Sequence, residues 1–92
     1  MRVKVVKWPK ETGVMFYCEG CETHHAVPVD PGRWNWNGDT ERPTLSPSLL
    51  TTYGLDSDKR CHMFVTDGNA VYLEDCSHSL AGRTIPLPEL ED

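Results

Sequence analysis

A turn between two β-rich runs, each carrying a cysteine nearby, constrains this chain more than any other feature. Cys61 to Val65 and Ala70 to Leu73 flank Thr66-Asp67-Gly68-Asn69, which is hairpin-turn chemistry. Two registers compete. With Gly68-Asn69 as a two-residue loop, or Asp67 to Ala70 as a four-residue one, Cys61 lies opposite Cys76 with Cβ atoms ~5 Å apart, and Asp75 lies opposite His62. With Asp67-Gly68 as the loop, Cys61 faces Glu74 instead. The first register is preferred, because it brings two thiols to where one metal ion could join them.

Cys18-x2-Cys21 supplies the other half of such a site. Two thiolates three positions apart on a turn relieved by Gly20 bind one Zn²⁺ at ~2.3 Å each. All four thiols together read C-x2-C-x39-C-x14-C. No apolar run approaches the ~20 residues that cross a bilayer, and no signal peptide precedes the first strand, so the expected setting is cytoplasmic. Thiols stay reduced there, which favours a metal over two disulfides. No helix follows Cys21, and no βαβ pattern surrounds it, so a thioredoxin-like redox pair is disfavoured.

With 92 residues the chain suits one small domain, 1–92, with 88–92 as an acidic tail expected to fray. A structural zinc contributes an apparent ~10–16 kcal/mol, comparable with a whole domain's ~5–15 kcal/mol. A net charge of −5 with scattered Lys and Arg argues against nucleic acid as a partner.

Strands are expected at Arg2 to Lys7, Val14 to Tyr17, His24 to Val29, Leu49 to Tyr53 and in the central hairpin, with Arg83 to Leu87 extended. Pro28 confines the third strand to an edge or a short length. Helical periodicity is missing throughout, and only Ser77 to Gly82 suits a single helical turn. The reading is mainly β: a small single-domain antiparallel sheet fold of six or seven strands, stapled by zinc in the manner of a zinc ribbon. An edge strand such as Val3 to Lys7 is a place where a second copy could pair.

Three histidines accompany cysteines: His25 after Cys21, His62 after Cys61 and His78 after Cys76. Cys18, Cys21, Cys61 and Cys76 are the first choice of ligands. His25, His62 and His78 are alternates, donors that orient the thiolates, or a second site with Asp75 where a metal could activate water. Between the halves lies Trp34-x-Trp36-Asn37-Gly38, then Arg42-Pro43-Thr44-x-Ser46-Pro47-Ser48. Trp34, Trp36, Asn37, Arg42, Thr44 and Ser46 form a candidate binding loop, although turn chemistry alone also accounts for them. Spacing reveals no nucleophile–base–acid triad.

The motifs Cys-x-Gly-Cys-x3-His, Trp-Asn-Gly-Asp, Arg-Pro-Thr-x-Ser-Pro-Ser, Cys-His-x-Phe-Val-x-Asp-Gly and Asp-Cys-x-His-x-Leu-Ala-Gly follow one another between residues 18 and 82. In that order they resemble a family of small uncharacterised proteins encoded by tailed bacteriophages and prophages. Some members carry the label ammonia monooxygenase, for which an acidic domain of this size lacks the membrane spans. The resemblance implies a phage setting, in the cytoplasm of the infected host or in the virion. It also implies weight on His25, His62 and His78.

The expected function is therefore a zinc-stabilised phage accessory protein that binds another protein, either a virion component or a host factor. The alternative is a metal-dependent hydrolase using His25, His62, His78 and Asp75 around an open metal position.

Overall fold

The computed structural model describes residues 1–55 and 58–90. Among the described residues, alternation of apolar and polar residues produces eight strands in two antiparallel sheets. The first holds β1 (Lys4–Lys7), β2 (Thr12–Cys18) and β3 (Thr23–Pro28) in chain order. The second holds β4 (Asn35–Trp36), β5 (Leu45–Tyr53), β6 (Lys59–Thr66), β7 (Asn69–Tyr72) and β8 (Thr84–Pro86), also in chain order. The expected mainly β class holds, and the short β4 inside the tryptophan loop brings the count above six or seven. Residues 77 to 82 form turns rather than a helical turn.

The core follows from the period-2 pattern of two strands. Val14, Phe16 and Cys18 of β2 and Cys61, Met63 and Val65 of β6 are buried in one cluster, joined by Leu45, Leu49, Tyr72 and Leu87. Each strand turns its intervening residues outward, so His62 and Phe64 lie on the far side of β6 from the core. Pro28 sits in β3, at the edge of its sheet, where its missing N–H costs no ladder bond.

The central hairpin adopts the second register, not the preferred one. Thr66 pairs with Asn69 and Met63 with Tyr72, so Asp67-Gly68 is the two-residue loop. Both loop residues have positive φ, 50° and 83°, the geometry whose twist matches that of the flanking strands. Residues 41–44 clamp this turn: Gly68 N–H donates to the Pro43 carbonyl and Asp67 N–H to Thr44 Oγ1.

Candidate functional site

β6 carries two sites on its two faces, one from each of two adjacent residues. Cys61 points into the core and His62 points out of it.

On the inner face, Cys61 meets Cys18 at 3.8 Å between sulfurs, joining the two sheets. Cys18 ends β2, and the following turn returns Cys21 so that its N–H donates to Cys18 Sγ. His25 follows from β3, where it pairs with Phe16. The donor atoms of Cys18, Cys21, His25 and Cys61 all lie within 4.8 Å of one another. His25 Nε2 is buried without a hydrogen-bond partner, a cost that a metal bond removes. Three sulfurs and one imidazole nitrogen can hold a metal ion here. The cluster polarises its own thiols. The Cys61 contact pulls the Cys18 thiol far below its ordinary value, while that same contact and burial push Cys61 up. Tyr72, raised by burial, directs its hydroxyl at Cys18 Sγ across 3.3 Å.

The fourth cysteine takes another position. Cys76 lies outside this group, within reach of Cys61 and His78. Its sulfur accepts from the His62 N–H at 3.2 Å and donates to the His62 carbonyl at 3.1 Å. His78 lies over Gly20 and stacks edge-on against Tyr72, with ring centroids 4.8 Å apart. His25 and His78 belong to two ligand groups that share Cys61, while His62 lies on the outer face, so the three imidazoles do not gather around one further metal.

On the outer face stands the set that spacing alone had not revealed. Ser48 Oγ lies 3.2 Å from His62 Nε2, and His62 Nδ1 lies 3.1 Å from Asp75 Oδ2. A bulge delivers Ser48. β5 pairs Leu45 with Val65 and then resumes at Leu49 with Met63, leaving Ser46-Pro47-Ser48 outside the ladder. Pro47 has no N–H to pair, and the Trp34 indole N–H caps its carbonyl at 3.1 Å. Leu50 is the cross-strand partner of His62, so Ser48 sits diagonally beside it.

A turn delivers Asp75. Leu73 N–H donates to the His62 carbonyl, and Cys76 N–H then closes on the Leu73 carbonyl. Ser77 N–H returns to the Arg60 carbonyl, leaving Asp75 beside the imidazole. The preferred register had placed Asp75 opposite His62. The turn achieves that proximity although the strands pair otherwise.

Charge is arranged to suit a relay. The His62 contact holds the Asp75 carboxyl below its ordinary range, with Arg60 Nη1 at 3.4 Å adding to it. An ionised Asp75 beside Nδ1 fixes the imidazole proton there and leaves Nε2 free to accept from Ser48. The chain order Ser-His-Asp differs from the orders of the chymotrypsin, subtilisin and α/β-hydrolase sites, so none of those patterns signals it. The available clue was Ser48 inside a proline-interrupted strand two residues from the partner of His62.

The candidate binding loop is largely occupied with itself. Asn37 donates to the Arg42 carbonyl and accepts from the Asp39 and Thr44 N–H groups. Trp36 donates to the Asp39 carbonyl, Arg42 pairs with Asp67 at 3.3 Å, and Ser46 is exposed opposite Asn35. Through Trp34 and Pro47 the loop also buttresses the backbone beside Ser48.

Comparison with known proteins identifies a family. The model of a family described as bacterial ubiquitination-like system serine protease (BubE) matches residues 2–73. No curated protein and no solved structure matches the chain.

Proposed function

The chain belongs to the BubE family, and from that membership and its outer-face geometry we propose that it is a serine protease using Ser48, His62 and Asp75. The observation that carries this reading is the unbroken relay from Ser48 Oγ through both His62 nitrogens to Asp75 Oδ2. His62 Nε2 takes the Ser48 proton as Oγ attacks the carbonyl carbon of an amide. The same nitrogen returns that proton to the departing amine, leaving an ester on Ser48. Water then repeats the sequence and releases the acid. Asp75 keeps the imidazole in one tautomer and stabilises its cation, and Arg60 keeps Asp75 in place.

The system named in the family description suggests the substrate class. Ubiquitin-like proteins are joined to their targets through amides at their carboxyl ends, so such an end is the bond proposed for Ser48. The phage or prophage setting and action in the infected host's cytoplasm are carried by the motif resemblance alone. They complete the proposal as its biological context.

The inner-face cluster is proposed to hold Zn²⁺ through Cys18, Cys21, His25 and Cys61, with His25 taking the place first given to Cys76. Four donors complete a tetrahedral shell. The metal then staples the sheets, and the metal-hydrolase alternative loses the open position it requires.

A fluorophosphonate probe tests the central claim. The purified protein should gain one covalent label at Ser48, and both Ser48→Ala and His62→Ala should abolish it. Labelling that survives Ser48→Ala would sink the reading.

A further inference from the structure

Ser48 stands at one end of a groove that the relay does not use. β3 is the edge of its sheet, and among the described residues no strand pairs with β5 on the β4 side beyond Ser46. A cavity of about 380 Å³ lies between these edges, with residues 24–28 on one wall and residues 49–51 on the other. Trp34 lines it as well.

Hydrogen-bond parity determines which backbone groups face the gap. Val29 N–H donates to the Thr12 carbonyl, which places Val27 and His25 in the hydrogen-bonded pairs with β2. The N–H and C=O groups of Ala26 and His24 therefore turn outward. The Pro28 carbonyl, of the same parity, accepts from Trp34 N–H on that side. In the other sheet, Leu73 N–H donates to the His62 carbonyl, so even-numbered residues of β6 bond toward β7. Met63 and Cys61 bond Leu49 and Thr51 instead, and Leu50 and Thr52 present their backbone groups to the open edge.

We propose that this slot binds the substrate as an extended strand. Its backbone bonds Leu50 on one side and Ala26 on the other, and an apolar side chain packs against Leu50, Pro28 and Trp34. The proposal rests on the serine-protease reading and deepens it. Two facing rows of open N–H and C=O groups are satisfied along their length only by another extended backbone, which argues for a peptide over a compact ligand. Continuity argues for the substrate itself, because the lining begins at Leu49, next to the nucleophile. Leu50 is 59% exposed and lies directly across from His62, an apolar side chain held open beside the reacting atoms. An occupant must arrive unfolded, so cleavage falls in tails and linkers rather than inside folded elements.

The test uses the intact protein and internally quenched octapeptides. One series carries apolar residues around the cleaved bond, a second carries lysine there, and a third carries single backbone N-methyl groups. Fluorophosphonate labelling of Ser48 in the wild type is scored separately. The apolar series should be cut best. N-methylation near the bond should raise KM by about fivefold per lost hydrogen bond. Leu50→Glu should shift preference to the lysine series. Ala26→Pro removes an N–H facing the slot and none facing β2, and should act on KM rather than kcat. If it fails to fold, the N-methyl series decides, because it leaves the protein unaltered. Absence of Ser48 labelling in the wild type overturns the protease reading and this one with it. Labelling with KM indifferent to N-methylation and to Leu50→Glu overturns the slot alone.

Discussion

The two faces of β6 show what burial does to reactive side chains. Cys61 is 1% exposed and His62 sits half-buried on the opposite surface, one residue away. On the inner face Cys18 and Cys61 are shut away from water, so thiolates there and the buried, unpartnered His25 Nε2 become costly unless a cation satisfies them. On the outer face the same polypeptide holds a hydroxyl, an imidazole and a carboxylate in a line, within reach of a substrate. On the proposed reading, the difference gives stability to one face and chemistry to the other. Their coupling is structural: the backbone that fixes Cys61 also fixes His62, and Cys76 clamps that backbone from the side.

Metal removal should have the largest effect, because it acts on both faces. Structural zinc contributes an apparent ~10–16 kcal/mol, comparable with the whole net stability of a small domain. Chelation, or Cys18→Ser, should collapse the thermal transition and abolish Ser48 labelling together, as followed by circular dichroism and mass spectrometry. A chelated protein that still melts cooperatively at its original midpoint would remove the inner face from the stability account.

Ser48→Ala should separate the faces. Loss of the nucleophile from a triad lowers kcat by on the order of 10⁶, while the thermal midpoint and bound metal stay unchanged. Asp75→Asn should lower kcat by roughly 10⁴ by giving the imidazole the wrong tautomer. Steady-state kinetics on a cleaved peptide measures both.

Gly20→Ala probes the inner face from its rim. A Cβ there collides with the His78 ring, which is held against Tyr72, and Tyr72 in turn touches Cys18. Overpacking of this kind costs ~1–3 kcal/mol, and denaturant titration should find a loss in that range. Kinetic parameters of the folded fraction should hold, since none of these groups touches Ser48.

Arg60→Ala probes the outer face gently. Its pair with Asp75 is half-exposed, and such pairs contribute ~0.2–1 kcal/mol, so kcat should fall by no more than about fivefold. A drop of several orders of magnitude would make Arg60 part of the relay rather than its support.

The smallest effect concerns acid. Backbone N–H groups of Arg42 and Glu41 hold the Asp39 carboxyl below its usual 3.8. A depressed carboxyl contributes stability above its unfolded value, and that contribution is lost as pH falls through the folded one. Acidification below about pH 4 should therefore loosen the 37–44 loop. Tryptophan fluorescence should report it through Trp36, bonded to Asp39.

Much of the fold was legible because it rests on local rules. Alternation marked the strands, Pro28 marked an edge, and three of the cysteines marked a cluster that could hold a metal ion. The register of the central hairpin was not legible to that degree. Thr66-Asp67-Gly68-Asn69 permits either loop, and the choice fell to Asp67-Gly68, whose two positive φ values match the strand twist. The neighbouring 41–44 segment secures it.

What the sequence determined alone is what neighbouring residues dictate to each other: strand periodicity, turn chemistry, and soft ligands bunched on a turn. Tertiary structure decided which cysteines share the group that could hold a metal ion and which histidine stands between a hydroxyl and a carboxylate. It brought His25 to the cluster through β3 and gave Cys76 to the His62 backbone. It also bulged β5 at Pro47 to set Ser48 over His62. These are contacts between strands far apart in the chain. Their geometry depends on register and bulges: a one-residue slip turns every following side chain to the other face, and a two-residue shift gives each a new partner.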